Sequence, residues 1–240
     1  MERFEDLFEV FSGLTQALLK QSDTAAEVIE HVTFAAKLLV AGADFVSVTL
    51  RDEKGNYFTP VATSDVCAEL DQVQYRYGEG PCVECAREPG PGFAYSARLS
   101  TDDRWPRFGP VAARLGVQSL LAVTLTPDRR SVSPPGALNV YSTQPDGLSE
   151  DDRYQVLILA AHAALALAHT SAVTYHQLRE RQLQQALASR DVIGQAKGIL
   201  MYRQGISASD AFDLLKRTSQ DMNIKLIEIA KTITSRRSDT

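Results

Sequence analysis

Between Phe4 and Leu19 apolar residues fall at positions 4, 7, 8, 11, 14, 18 and 19, the spacing of one helix face. The pattern returns from Thr24 to Val40 behind the capping stretch Ser22-Asp23-Thr24, so two helices are predicted at the start. From Phe45 to Leu50 (FVSVTL) the rhythm changes to alternation with β-branched residues. A polar turn at Asp52 to Asn56 and a second apolar run, Tyr57 to Thr63, complete a predicted hairpin. Ser64 to Tyr75 has the cap and spacing of a short helix stopped by Gly78. Beyond it, Gly80-Pro81 and Pro89-Gly90-Pro91-Gly92 predict an irregular, loop-rich segment. A helix over Arg107 to Leu115 with Gly116 as its stop comes next, then strands over Val117 to Leu125 and Ala137 to Ser142, separated by an exposed loop at Pro127 to Gly136.

Ser149, with Asp152 three residues on, opens a helical pattern that runs to about Arg203, interrupted only by Gly194 and Gly198. In sevens, Leu159, Ala166, Val173 and Leu187 share one position and His162, His169, His176 and Leu183 another, which predicts a coiled-coil stalk pairing two subunits. A second helix is signalled by Ser207 and Asp210 and ends near Asn223, and a third covers Lys225 to Arg236. The expectation is an α+β protein: an antiparallel sheet with flanking helices over residues 1–170, then an all-α unit of three helices over 171–240.

Hydrophobic residues at 44% and charged residues at 23% exclude wholesale disorder. No apolar run is long enough to span a bilayer, and the start (MERFED) lacks the basic end and apolar stretch of a signal peptide, so a cytoplasmic protein with no membrane attachment is expected. The net charge of −5 is uneven. Residues 1–175 hold 14 Lys/Arg against 23 Asp/Glu, whereas residues 176–240 hold 11 against 7. Such asymmetry suits one sensing part and one part that meets a polyanion.

The stretch Ser189-Arg190-Asp191-Val192-Ile193-Gly194-Gln195-Ala196-Lys197-Gly198-Ile199-Leu200-Met201 is the most informative. Ile193, Ala196 and Leu200 form an apolar stripe, while Arg190, Gly194, Lys197 and Met201 follow one another at steps of three or four on another face. A helix-interior glycine costs about 1 kcal/mol relative to alanine, so two within five residues suggest a close approach to the backbone. With Gly205, Ala211-Phe212, Leu215, Ser219, Asn223, Lys225-Leu226 and Ile229-Ala230, this stretch resembles an ANTAR domain, the output module of bacterial transcription antitermination regulators. The resemblance covers roughly residues 175–237. It implies binding, as a dimer, to paired RNA hairpins in a leader transcript. The residues themselves then suggest Arg190, Lys197 and Arg203 as cations for phosphate, Gln195 as a base-edge donor, Gly198 as the point that admits a nucleotide, and Gly194 and Met201 on the same face. Lys216, Arg217, Lys225 and Lys231 would extend the basic surface. Taken without the resemblance, the same face is a solvated helix surface. Tyr202 and Phe212 are the main rings of this part; Phe212 sits in a core-like pattern, and Tyr202 is either a stacking ring or a core-edge residue.

Residues 20–170 resemble a GAF domain, a sensory module with a central antiparallel sheet and helices on one face. The likeness rests on the hairpin at 45–63, Gly78-Glu79-Gly80-Pro81-Cys82, Asp102-Asp103-Arg104-Trp105-Pro106, Gly116-Val117-Gln118-Ser119-Leu120 and the strand holding Leu138 and Val140. The pairing of the two modules is of the kind met in actinobacterial regulators. It implies a small-molecule, redox or protein input, with a ligand pocket lined by Tyr75, Tyr77, Cys82, Phe93, Trp105 and Ser119. These residues match no cyclic-nucleotide, haem or bilin signature, so neither cofactor nor input is assigned. An unliganded core is the alternative.

Cys82 and Cys85 have a C-x-x-C spacing, but no second pair or nearby histidine completes a metal site, and Cys67 is the remaining thiol. Structural thiols are expected, with redox sensing as the sharper alternative. His162, His169 and His176, seven apart, suggest a pH-sensitive seam or merely a polar stripe. No catalytic motif is found: the acidic pairs at 102–103 and 150–152 sit where turns and helix starts explain them. A signal-responsive, RNA-binding antiterminator is the leading expectation. The competing one is a signalling scaffold that recruits a protein partner.

Overall fold

Alternation in a strand sorts side chains onto two faces, and in this protein both faces are covered. The computed structural model describes residues 25–52, 54–87, 92–125, 135–169, 172–222 and 224–235. The chain divides into two compact units, Met1–Arg179 and Glu180–Thr240.

The first unit is built on β1 (Phe45–Arg51), β2 (Tyr57–Ala62), β3 (Phe93–Ser96), β4 (Ser119–Thr124) and β5 (Gly136–Ser142). They form one sheet in the order β2-β1-β5-β4-β3, every neighbouring pair antiparallel. The β1–β2 turn is closed by Asp52, whose Oδ1 accepts from the Asn56 amide at 2.7 Å, and by Gly55 at φ +85°. Residues of one parity (Val46, Val48, Leu50, Leu121, Val123, Leu138, Val140) pack under α1 (Ala25–Leu39) and α5 (Asp152–His169) through Ile29, Val32, Ala36, Val156, Leu159 and Ala163. The other parity (Leu120, Ala122, Ala137, Tyr141) meets α2 (Asp65–Tyr77), α3 (Pro81–Arg87) and α4 (Phe108–Arg114). Helices thus lie on both faces, not on one as the resemblance suggested. Each face carries an apolar set of its own, and that is why both are buried.

The segment predicted as irregular holds α3 and β3. Their flanking glycines and prolines masked a seven-residue helix and a four-residue edge strand, lengths at which periodicity carries little signal. Elsewhere the caps act as the residues indicated. The side chain of Ser64 accepts from the Val66 amide, Gly78 ends α2 at φ +63°, and Gly116 turns at φ +84° after α4. Asp152 Oδ2 accepts from the amide and hydroxyl of Ser149 at 2.8 and 2.9 Å. The predicted helix at Phe4 to Leu19 and nearly all of the predicted loop at 127–136 lie outside the described residues.

The second unit contains most of α6 (Ala172–Gln204), then α7 (Ala208–Met222) and α8 (Leu226–Ser235). Gly205, at φ +66°, makes the turn after α6. Asp210 Oδ2 accepts from the Ser207 hydroxyl at 2.7 Å while the Asp210 amide donates to Ser207 Oγ at 3.2 Å, which caps α7. The core is small: Ala196, Leu215, Leu226 and Ala230, ringed by Val192, Ile193, Leu200, Ile229 and Ile233. Continuity between α5 and α6, expected from the unbroken pattern, falls on residues 170–171, outside the described set. The predicted seam is corrected at Leu159, which is buried against α1 and the sheet and so is used within its own unit. Leu183 and Leu187 are exposed, and His162 is half-buried with its Nδ1 2.8 Å from the Ile158 carbonyl. The side chains of His169 and His176 lie outside the described residues.

Candidate functional site

The α2–α3 face of the sheet is only partly apolar. Ser47, Thr49, Thr59, Asp71, Gln74, Cys82 and Asn139 are buried there together with Tyr141. Strands β1, β2 and β5 supply the hydroxyls and the amide at alternate positions, and α2 supplies Asp71 and Gln74 from its inward stripe. The Thr59 hydroxyl donates to Asp71 Oδ2 at 3.0 Å and the Tyr141 hydroxyl donates to Asp71 Oδ1. Gln74 Nε2 donates to the Tyr141 oxygen at 3.2 Å, and Gln74 Oε1 accepts from the Cys82 amide at 3.0 Å. Tyr75 Oη sits 2.9 Å from Thr49 Oγ1 and 2.8 Å from Thr59 Oγ1. Asn139 Nδ2 reaches Ser47 at 3.1 Å and Thr49 at 2.9 Å. Burial dominates the electrostatics, because a charge without water is costly. It pushes the Asp71 carboxyl up to about 6 against the hydrogen bonds that lower it. Burial and then the Asp71 charge also raise the Tyr75 and Tyr141 hydroxyls well above the phenol range.

Of the residues singled out for a pocket, Tyr75 and Cys82 belong to this network. Trp105 lies buried on the same face, its Nε1 donating to Glu84 at 2.8 Å. Tyr77 stands at the end of α2 beneath the Arg107 guanidinium, 5.3 Å from the ring centroid. Phe93 and Ser119 are corrected. Phe93 is 44% exposed with Arg153 of α5 over its ring at 4.9 Å, and Ser119 shares the parity of Leu121 and Val123 and donates to the Gln144 carbonyl at 3.1 Å. Both have the sheet between them and the network. Asp71, Gln74, Asn139 and Tyr141 were not anticipated. A signal existed, since Asp71 and Gln74 interrupt the inward stripe of Cys67 and Leu70, as buried polar residues do.

The sequence motifs turn out to hold the fold together. Glu79 accepts from the amides of Arg107 and Phe108, the latter at 2.8 Å, and from Arg107 Nε at 2.8 Å, so it caps α4 from the end of α2. Burial alone would raise its carboxyl, yet these hydrogen bonds hold it below its ordinary value. Gly80, at φ +126°, presses on Gln74, where a Cβ would come within 2.3 Å of Oε1. Arg104 grips Asp102 at 2.7 Å and stacks on Trp105 at 4.4 Å. The thiols of Cys67, Cys82 and Cys85 are all buried. Burial and then Asp71 push Cys82 well up, and burial pushes Cys85 up to about 12, so neither offers a thiolate near neutrality and the redox reading loses its support.

In the second unit the fully buried Ala196 marks the inward side of α6. At about 100° per residue, Gly198 lies nearly opposite it, with Gly194 and Tyr202 one turn to either side. Gly194 and Gly198 are exposed, and a Cβ at either would meet nothing within 4 Å. Among the described residues none makes the close approach that the glycines suggested, and their bare backbone faces outward. Arg190 (exposed), Lys197 and Met201 (half-buried) flank this face on one side, and Gln195 (exposed) on the other. Arg203 is exposed but falls about 120° from Lys197 around the axis, so it does not join that group. Phe212 is also corrected: it is 43% exposed, while Ala211, Leu215 and Ser219 make the buried stripe of α7.

A two-face antiparallel sheet with a hydrogen-bonded polar interior is thus followed in sequence by a small helical unit with a cation-flanked bare face. The GAF domain family matches residues 22–168, more than half of the chain, and the ANTAR domain family matches residues 181–233. The chain belongs to the GAF domain family and carries an ANTAR domain after the GAF domain. No curated protein matches it. Among solved structures it is similar to the GAF domain of a phosphoenolpyruvate-protein phosphotransferase from Coxiella burnetii, with 16% identity over 69% of this chain and 94% of that one and a TM-score of 0.51. It is also similar to a domain assigned to a two-component sensor histidine kinase of Sinorhizobium meliloti 1021, with 16% identity over 65% and 99% and a TM-score of 0.50. At such identities the likeness shows the fold alone. The ANTAR domain implies RNA-binding antitermination regulation and the GAF domain signal sensing. Among the described residues no helix is long and apolar enough to cross a membrane, and no group of His, Cys, Asp and Glu could hold a metal ion.

Proposed function

We propose that this protein is a cytoplasmic, signal-responsive transcription antiterminator that binds paired hairpins of a leader transcript as a homodimer and carries out no catalysis. The observation that carries this reading is the outer face of α6: two helix-interior glycines open to solvent, with Arg190 and Lys197 alongside. Each glycine costs the helix about 1 kcal/mol and gains no internal contact in return, which is the pattern of a surface kept clear for an external ligand. Arg190 and Lys197 supply phosphate contacts, Gln195 a base-edge donor, Gly194 and Gly198 the floor, and Met201 an apolar border. Arg203, Lys216, Arg217, Lys225 and Lys231 add to the field around it.

Dimerisation is supported by α5. Its inward residues are used in the unit's own core, but Tyr154, Ile158, Ala161, Leu165 and Ala168 are exposed at alternating steps of four and three. That is a heptad stripe one position round from the predicted seam, and a second copy of the same helix matches it. Phe34 and Leu38 on the neighbouring α1 are exposed as well. The input is received in the GAF domain, where the polar cluster around Asp71 can exchange its internal hydrogen bonds for those of a small molecule. The scaffold reading takes its support from the same apolar stripe, used to recruit another protein.

Binding to a two-hairpin RNA as a function of salt separates the two. Contact with several phosphates gives a steep linear fall of log K with log salt, and Lys197→Ala lowers that slope by about one. Absence of binding at low salt refutes the antiterminator and leaves the scaffold.

A further inference from the structure

On the RNA-binding reading above, we propose that Tyr202 is a base-stacking residue, its ring holding one unpaired RNA base over the exposed backbone of Gly198. Tyr202 is 92% exposed, more than any other large hydrophobic residue of the described set. A single exposed aromatic ring is ordinarily unremarkable; its place on the helix is what gives this one a use. Side chains on a helix lean toward the N-terminus, over the residues three and four positions earlier. For Tyr202 these are Ile199 and Gly198. Gly198 has no side chain, so one flank of the ring is an open floor, and Gly194, a turn further back, prolongs it. Four residues give about 6 Å of axial rise, enough for a flat heterocycle between the ring and the next side chain along.

The occupant must offer a π face and negative charge nearby. The first requirement excludes a paired duplex, whose base faces are stacked internally, and selects a loop, a bulge or an end. The second follows from Arg190 and Lys197 beside the floor and from the net positive charge of residues 176–240. An unpaired base in RNA meets both. A second α6 packed against the glycines would meet neither, and it is the outcome that the experiment must separate.

The test uses the full chain and two probes: RNA stem–loops with randomised loop sequences, and a loop-free RNA duplex of the same length. Stacking is worth about 1–3 kcal/mol per base, so Tyr202→Ala is expected to weaken stem–loop binding by about 5- to 150-fold while leaving its salt dependence unchanged. Tyr202→Phe keeps the affinity. Weak, salt-driven duplex binding is the same in wild type and Tyr202→Ala. Lys197→Ala behaves in the opposite way, lowering the salt slope. A Tyr202→Ala protein that binds stem–loops within about twofold of wild type overturns the proposal and leaves the RNA reading standing. So does one that falls apart into monomers by sedimentation, which would place the ring in a contact between copies. A wild-type protein that binds none of the RNAs overturns the RNA reading and this proposal with it.

Discussion

Replacing Asp71 by asparagine should remove a stabilisation that the domain gains in mild acid. In the unfolded chain the carboxyl titrates near its ordinary 3.8; in the folded domain burial raises it to about 6. Between these values the folded protein holds a proton that the unfolded chain has released, so folding takes up a proton. The stabilisation from this group is complete below pH 3.8 and is lost as the pH rises through about 6. A shift of about two units corresponds to about 3 kcal/mol in all, of which about 2 kcal/mol appears between about pH 7.5 and pH 4.5. The groups facing the carboxyl are Tyr141, Thr59, Gln74, Tyr75, Cys82 and Ser47, and burial also raises the Tyr141, Tyr75 and Cys82 protons, so Asp71 is the one of them that titrates in this window. In Asp71→Asn the amide oxygen takes the Tyr141 hydroxyl and the amide nitrogen donates to Thr59, with no charge at any pH. Urea unfolding of wild type and variant, followed by tryptophan fluorescence from Trp105, gives the difference in stability at each pH. Wild type should gain about 2 kcal/mol on the variant as the pH falls from about 7.5 to about 4.5. A difference that stays flat, or that moves in favour of the variant, refutes a carboxyl buried against its own ionisation.

Two further predictions follow from the glycines and from the exposed stripe. Gly198→Ala meets no clash and should raise the stability of the helical unit by about 1 kcal/mol, roughly 4–8 °C in its melting temperature, while weakening RNA binding; a lower melting temperature would show that the site is packed after all. Ile158→Asp with Leu165→Asp should give a folded monomer by sedimentation equilibrium, with circular dichroism unchanged, and an intact dimer would remove α5 from the interface.

Elements with long patterns or explicit caps were legible in the sequence: α1, the hairpin, α4, and the helices marked by Ser149 and Ser207. The short pair α3 and β3 was not, because Gly80-Pro81 and the Pro-Gly run around them say where the chain turns and not what it does between turns. The alternation of FVSVTL was visible, but not that Ser47 and Thr49 point into a second core instead of water. Alternation reports that a strand has two faces and is silent about what covers them. For the same reason Asp71, Gln74, Asn139 and Tyr141 went unnamed, whereas Phe93 and Ser119 were assigned to the face that carries this network although the sheet lies between. The placement of Arg190, Gly194, Lys197 and Gly198 along one side of α6 was legible because one helix fixes their relation by arithmetic alone.

The sheet has two unlike sides, and they should come apart differently. Under α1 and α5 the seal is aliphatic: water gains nothing there until the whole layer lifts. Under α2 and α3 the apolar packing is interrupted by hydroxyl-to-carboxyl and amide-to-hydroxyl contacts, which water can replace with less loss. Partial opening of the domain will therefore begin at α2, and amide protons of β1 and β5 will owe their protection to the aliphatic side. Glu79 ties the end of α2 to the start of α4, so these two helices loosen as a pair. On that expectation the domain opens as a cover on one side of a fixed plate, and hydrogen exchange should run faster in α2 and α4 than in α1 and α5.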